Sequence, residues 1–192
     1  MDVIRWLMGE RAPVAISAHG GKYVLDDDST IPDTLQVTFE FASGKIISFG
    51  IYEGSSGDLF PYGEIEIRGT KGNLYASERG YRIIPAKSGQ FQKWDKPISA
   101  EEFDNPDPYL SDGSSSDSTS GLIRNFLDCI KTRQNPLCTL EEGHRSTSFA
   151  HLANIAVATR QRLEWDSEKE IFKNNPKANE LLSYEYRKPW TL

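Results

Sequence analysis

The chain has 192 residues, of which 38% are hydrophobic and 26% charged; its formal net charge is −6 and its isoelectric point lies near 5.2. This length suits one domain with a real core, and the apolar fraction argues against intrinsic disorder. The acidic charge argues against nucleic-acid binding, which needs a surplus of Lys and Arg on one face, and no apolar run is long enough to span a membrane.

The chain begins directly in a helical pattern. Val3, Ile4, Leu7 and Met8 fall on one side of a short helix, and Gly9 is a stop signal. A signal peptide has a basic segment, an apolar stretch and a cleavage site, and none of the three is visible here. The sequence therefore leaves the cellular location open. Because nothing upstream caps this helix, we expect it to be the remainder of a longer one.

Alternating apolar and polar residues between Pro13 and Pro85 predict a series of strands. The pattern is clearest where Leu35, Val37, Phe39 and Phe41 face one way. Turn signals separate successive strands, at Ala42-Ser43-Gly44-Lys45 and Gly69-Thr70-Lys71-Gly72. No strand–helix–strand unit interrupts the segment, so we predict an open, mainly antiparallel sheet with one covered and one more polar face.

Helical spacing returns in the last third of the chain. Residues 86–120 lack periodicity and read as a long polar loop. An apolar stripe from Leu122 to Ile130 predicts one helix, and a second begins after Thr139 and runs to about Leu163. A short third helix is predicted from Pro176 to Tyr184. Strands first and helices later indicate an α+β fold with the helices packed on one face of the sheet.

Local motifs for catalysis are absent from the sequence. The segments Gly20-Gly21-Lys22 and Gly69-Thr70-Lys71-Gly72 lie between predicted strands, so neither resembles a dinucleotide or phosphate cradle. His144 and His151 are seven residues apart on one helix, about 10 Å along its axis, which is too far to share a metal ion. The two cysteines, Cys129 and Cys138, are expected to be reduced and structural.

The polar face of the predicted sheet carries a possible sugar site. Aromatic rings stack on sugar C–H faces while polar tips bind hydroxyls, and this face offers His19, Tyr23, Tyr52 and Tyr62. An ordinary sheet surface or a subunit interface explains the same residues, and the pattern alone favours that interpretation.

Several longer motifs together resemble the Gfo/Idh/MocA oxidoreductase family, which includes glucose–fructose oxidoreductase and inositol dehydrogenase. The similarity extends from end to end and is most specific, in the last third, to a bacterial subgroup. The motifs are Asp2-Val3-Ile4-Arg5-Trp6-Leu7-Met8-Gly9, Pro32-Asp33-Thr34, Phe39-Glu40-Phe41, Ile67-Arg68-Gly69-Thr70-Lys71-Gly72-Asn73-Leu74, Arg124-Asn125-Phe126-Leu127-Asp128-Cys129-Ile130-Lys131, Glu141-Glu142-Gly143-His144-Arg145-Ser146, Leu163-Glu164-Trp165-Asp166 and Tyr186-Arg187-Lys188-Pro189-Trp190.

The resemblance implies that residues 1–192 form the C-terminal, substrate-binding and dimerisation domain, without the N-terminal Rossmann domain that binds NAD or NADP. The family's catalytic Lys lies in that other domain. Its catalytic His belongs to an Asp-x-Gly-x-His-x-x-Asp motif of which only the last residue, Asp2, has a counterpart here. We therefore expect a truncated chain with no cofactor of its own, no metal and no complete catalytic set.

The resulting hypothesis is a domain of an NAD(P)-dependent sugar or polyol oxidoreductase that is inactive as an isolated chain. Its partners would be a small sugar or polyol and a second copy bound through the sheet face. The candidate substrate-binding residues are Asp2, His19, Tyr62 and His144, the last of which is expected rather to brace its helix. Two alternatives remain open: a freestanding carbohydrate-binding or dimerisation module, and part of an NAD-dependent glycosidase of the same family.

Overall fold

The fold consists of two compact units. A computed structural model of the chain describes residues 1–55, 64–77, 80–87, 98–104, 118–173 and 175–190. The first unit combines Met1–Ser56 with Leu140–Leu192, and the second is the intervening stretch, Gly57–Thr139. None of the helices within the described ranges has the length and apolar character needed to cross a membrane.

Helices and strands follow one another with strands mostly in the first half and long helices in the second. In chain order they are α1 (Asp2–Met8), β1 (Ala15–Gly21), β2 (Thr34–Glu40), β3 (Ile46–Tyr52), β4 (Ile65–Gly69), β5 (Gly72–Ser77), β6 (Gly80–Pro85), β7 (Glu101–Asp104), α2 (Ser118–Thr132), α3 (Leu140–Thr159), β8 (Leu163–Asp166), β9 (Ile171–Phe172) and α4 (Pro176–Glu180).

A five-stranded antiparallel sheet forms the centre of the first unit. Its strand order is β3-β2-β1-β8-β9. In this register His19 on β1 lies opposite Gln36 on β2, which in turn lies opposite Gly50 on β3. The order joins strands from both ends of the chain, because β1 pairs with β8 through Ile16 and Leu163.

The core of the first unit lies between one face of this sheet and the long helix α3. Strand residues such as Ile16 and Val37, and helix residues such as Ala156, are fully buried. The rings of Phe39 and Phe149 meet edge to face with centroids 4.9 Å apart, a favourable aromatic geometry. Helix α1 packs against the same core through partly buried apolar residues, namely Met1, Ile4 and Met8. The helices of this unit therefore cover one face of the sheet, as predicted.

A four-stranded antiparallel meander, β4-β5-β6-β7, forms the sheet of the second unit. One of its faces is apolar: Ile67 lies opposite Leu74, which lies opposite Ile83. The same unit contains α2, whose apolar stripe is exposed, with Phe126 at 56% of its full accessibility. Within the described part of this unit no residue is fully buried.

The α+β class and the mainly antiparallel pairing are confirmed, while some boundaries differ from the prediction. The strands divide between two sheets, and β7 lies inside the stretch predicted to be a loop. The helix predicted to reach Leu163 ends at Thr159, because Arg160 takes a left-handed conformation with φ 53° and its amide donates to the Ala156 carbonyl, as in a helix C-cap.

Candidate functional site

A buried arginine joins α1 to α3. Arg5 lies on α1 with only 5% of its surface exposed. A guanidinium taken out of water needs charged and polar partners, and α3 supplies both. Arg5 forms an ion pair with Glu142, and its Nε donates a longer hydrogen bond of 3.4 Å to Ser146 Oγ. These contacts fix which face of α1 lies against α3.

Asp2 lies at the edge of this buried pair. Ser146 Oγ donates to Asp2 Oδ1 at 2.6 Å, and Arg5 Nη2 lies 3.7 Å from the same oxygen. The Asp2 side chain is 66% exposed. Asp2 is therefore a surface carboxylate that is held at one oxygen.

His144 lies elsewhere on α3, and its side chain contacts the turn that follows β8. Its Nε2 lies 2.6 Å from Glu170 Oε1, in the turn between β8 and β9. One helical turn away, Arg145 Nε donates to Glu141 Oε1 at 2.7 Å, and this hydrogen bond lowers the pKa of Glu141 from its ordinary value. A role of His144 toward substrate stays a prediction.

His19 lies on the outer face of the five-stranded sheet, opposite the helices. Beside it, Tyr52 lies over Gly50 and its hydroxyl bonds with the Gln36 side chain. Tyr23 lies in the same way over Gly21. The glycines leave room for these rings, so the outer face that carries His19 also carries two aromatic side chains and an amide.

The structure does not gather the predicted site residues into one place. Asp2 lies on the helix side of the sheet, because Ser146 of α3 binds it, whereas His19 extends from the other face. Even on α3, positions 144 and 146 point about 200° apart around the helix. Tyr62 lies outside the described residues.

Local sequence patterns do not indicate that Arg5, Glu142 and Ser146 form a cluster with Asp2, although each of them lies in one of the family motifs. Arg5 is more than a hundred positions away from Glu142 and Ser146, and it meets them only in the fold. One local signal was available: Arg5 follows Ile4 directly in an amphipathic helix, where a buried cation demands a distant carboxylate.

A second buried charge shapes the loop between β1 and β2. Asp33 is 3% exposed, and its carboxylate accepts hydrogen bonds from the backbone amides of Tyr23, Val24 and Leu25 and from the Thr34 hydroxyl. These donors, the Leu25 amide first among them, lower the pKa of Asp33 to about 2. The carboxylate therefore holds the loop that carries Tyr23 to the outer face.

The described residues do not fit a dinucleotide. A phosphate cradle is a glycine-rich turn from a strand into a helix. Here Gly69 and Gly72 close the hairpin between β4 and β5, and Gly21 ends β1 before a loop that leads to β2. Across the same described ranges, no three His, Cys, Asp or Glu side chains are grouped as a metal ion would require.

The α+β architecture recurs in solved oxidoreductases. An oxidoreductase from Agrobacterium radiobacter in complex with NAD+, L-tartaric acid and magnesium has a TM-score of 0.59 at 13% identity, over 85% of this chain and 46% of that chain. A levoglucosan dehydrogenase in complex with NADH and levoglucosan has a TM-score of 0.60 at 15% identity, over 85% and 47%. A UDP-N-acetylglucosamine 3-dehydrogenase from Acidithiobacillus ferrooxidans has a TM-score of 0.56 at 16% identity, over 83% and 46%. At these identities the likeness shows a shared fold.

Residues 113–192 match the Gfo/Idh/MocA family described as "Oxidoreductase family, C-terminal alpha/beta domain". Over these residues the match confirms the family resemblance that the sequence motifs indicate. The chain spans somewhat less than half the length of these similar solved proteins. It covers 46% of the Agrobacterium radiobacter oxidoreductase and 47% of the levoglucosan dehydrogenase. No curated protein matches the chain in sequence.

Proposed function

We propose that this chain is the substrate-binding and oligomerisation domain of an NAD(P)-dependent sugar or polyol oxidoreductase. The family match over residues 113–192 carries the proposal. Proteins of the same fold in complex with NAD+ and L-tartaric acid, or with NADH and levoglucosan, support the cofactor and the substrate class. The Asp2 carboxylate, exposed on α1 and held by Ser146, is the substrate contact that we expect on this domain.

We propose further that the isolated chain does not catalyse hydride transfer. That reaction needs a nicotinamide held against the substrate carbon and a base that takes the hydroxyl proton. The 192 residues carry neither a dinucleotide fingerprint nor the family's Glu-Lys-Pro motif. In this proposal both are supplied by a Rossmann domain, and NAD or NADP binds there.

Two measurements test this function. Reading the DNA upstream of Met1 is expected to show, in frame, a dinucleotide fingerprint and a Glu-Lys-Pro motif, and their absence counts against the proposal. The isolated chain, mixed with NAD+ or NADP+ and a panel of sugars and polyols, is expected to give no rise in absorbance at about 340 nm. Protein expressed from any longer reading frame is expected to give one, and product analysis then separates a dehydrogenase from an NAD-dependent glycosidase.

A freestanding carbohydrate-binding or dimerisation module is the second candidate. It is favoured by the outer sheet face, where Ser17, Thr38 and Ser48 form one row of hydroxyls across three strands and His19 stands beside it. Flat polar rows of this kind pair well with a second copy or with sugar hydroxyls. Sugar binding by the chain with no effect of NAD(P) would favour this module over the oxidoreductase domain.

The oligomerisation role predicts that a bulky charge on the outer sheet face prevents self-association. Thr38→Arg, at the centre of the hydroxyl row, is expected to convert a dimer to a monomer in sedimentation experiments, because two desolvated guanidinium groups would oppose each other across the interface. Glu180→Arg on the exposed side of α4 is the control and is expected to leave the dimer intact. A dimer that survives Thr38→Arg would exclude this face as the interface.

A further inference from the structure

We infer that Ser146 and Arg5 are positioning residues that hold the Asp2 carboxylate toward a ligand hydroxyl, an inference that rests on the proposed function. The cluster combines one buried cation, one partly buried hydroxyl and one exposed carboxylate, joined across α1 and α3. Each member has a different task.

Arg5 fixes the orientation of α1. Its guanidinium is almost fully buried, so its donors must be satisfied where they lie. The ion pair with Glu142 and the Nε bond to Ser146 both end on α3. Rotation of α1 about its axis would break both contacts at once, and Asp2 would rotate with the helix.

Ser146 has a hydrogen-bond direction that Arg5 imposes. A guanidinium can only donate, so the bond from Arg5 Nε makes Ser146 Oγ an acceptor. The single proton of this hydroxyl is then left for Asp2 Oδ1, at 2.6 Å. The result is a relay in one direction, from the buried guanidinium through the hydroxyl to the carboxylate.

Asp2 keeps one oxygen for a ligand. Both the serine and the arginine approach Oδ1, and Oδ2 accepts no hydrogen bond from any residue in the described part of the chain. The side chain is 66% exposed, so this second oxygen faces solvent. A carboxylate held in this way accepts a hydrogen bond from a sugar or polyol hydroxyl at little cost in side-chain entropy.

The first test measures the order of the Asp2 side chain by NMR. Three-bond couplings to the Asp2 side-chain carboxyl carbon, measured in the labelled chain, report whether χ1 occupies one rotamer or several. Wild type is expected to show one rotamer and Ser146→Ala an average of several. Ser146→Thr, which keeps the hydroxyl, is expected to restore the single rotamer. Ser148→Ala is the matched control, because it removes a hydroxyl on the same helix that donates to the His144 carbonyl and has no contact with Asp2. Equal couplings in wild type and Ser146→Ala would overturn the inference.

A second variant covers the case in which Ser146→Ala fails to fold. Arg5→Lys keeps the positive charge that faces Glu142 but replaces the forked donor with a single ammonium group. It is expected to loosen Asp2 as well, because the bond from Nε to Ser146 is lost. An Asp2 rotamer that is unchanged in Arg5→Lys would contradict the relay.

The ligand test uses myo-inositol and D-glucose as probes, titrated into the same labelled chain. Ser146→Ala is expected to bind about fivefold more weakly than wild type, the loss of one modest hydrogen-bond contribution, while Ser148→Ala binds as wild type does. Equal affinity of Ser146→Ala and wild type would overturn the positioning role. If wild type binds neither probe at Asp2, the proposed substrate-binding function fails, and the rotamer test still decides the relay separately.

Discussion

At the scale of single residues, Asp33 shows how one carboxylate organises a loop. Three consecutive backbone amides and a neighbouring hydroxyl converge on it, so the segment Tyr23–Leu25 has no freedom to take another path without leaving a buried charge unpaired. The loop in turn carries an exposed Tyr23 and Val24, which lies over Gly54. The hydrogen bonds to the Asp33 carboxylate thus determine where Tyr23 and Val24 lie on the outer face.

Asp33 also makes the free energy of unfolding of the first unit depend on pH. Its pKa is about 2 in the folded chain and about 3.9 in an unfolded one. The stabilisation is therefore fully present above about pH 4 and disappears as the pH falls toward 2. Urea unfolding between pH 2 and 5 is expected to show this slope in wild type and to lose it in Asp33→Asn. Asp26→Asn, on the same loop, serves as control, and an equal slope in Asp33→Asn and wild type would refute the assignment.

At the scale of elements, a glycine in a hairpin turn and a glycine at a strand end are required for different reasons. Gly44 sits in the β2–β3 hairpin with φ 83°, and a Cβ there would meet nothing within 4 Å. Gly80 begins β6 with φ 145°, and a Cβ there would overlap the carbonyl oxygen of Phe103 on β7. The first glycine supplies only a backbone conformation, whereas the second also permits two strands to approach.

This difference predicts that alanine substitutions at the two glycines reduce the stability by unequal amounts. Gly44→Ala is expected to destabilise the chain by about 1 kcal/mol, the cost of a left-handed conformation for an L-residue. Gly80→Ala is expected to cost at least about 2 kcal/mol and to separate β6 from β7, since backbone must move. Urea unfolding gives the free energies, and NMR contacts between Tyr81 and Phe103 report the strand pair. Equal costs at the two positions would show that the close approach at Gly80 is unimportant.

At the scale of the whole molecule, apolar burial is unevenly distributed. Among the described residues, the fully buried side chains, such as Phe39, Phe149 and Leu163, all belong to the first unit. The described residues of the second unit are exposed or only partly buried, so we expect its sheet to rely mainly on strand pairing and on its one apolar face. Hydrophobic burial is the dominant stabilising contribution in folded proteins, so the two units differ in their resistance to opening.

Amide hydrogen exchange is expected to show this difference directly. Amides in β1, β2 and α3 should exchange only through global unfolding, while those in β4–β7 should exchange through local opening with a lower free energy. Mass spectrometry of peptides from each unit measures both. Equal protection in the two sheets would mean that the second unit is stabilised by contacts outside its described residues.

The sequence predicted the elements whose burial is one-sided and missed those where it is not. The alternation of Leu35, Val37 and Phe39 identified β2 because one face of that strand enters the core. Strand β7 was missed because three of its four residues are acidic and all are exposed. Strand β8 was merged with α3, since Leu163 continues the helical spacing and only the conformation of Arg160 separates the two.

The candidate site was predictable only in part, for a related reason. Alternation alone placed His19 on the polar face of its strand, and a motif singled out Asp2. The contact between Asp2 and Ser146 joins residues 144 positions apart, and no local period encodes such a pair. A buried arginine signals that a partner exists, but only the fold identifies Glu142.

The division of the first unit between the two ends of the chain has a consequence for biosynthesis. Strands β1–β3 leave the ribosome early, yet α3, which covers their apolar face, follows about 100 residues later. At typical elongation rates this delay lasts about 5–20 s. During that interval the nascent sheet exposes Phe39 and its neighbours, while the second unit is still being synthesised. The nascent chain should therefore depend on chaperones most between the synthesis of β3 and that of α3.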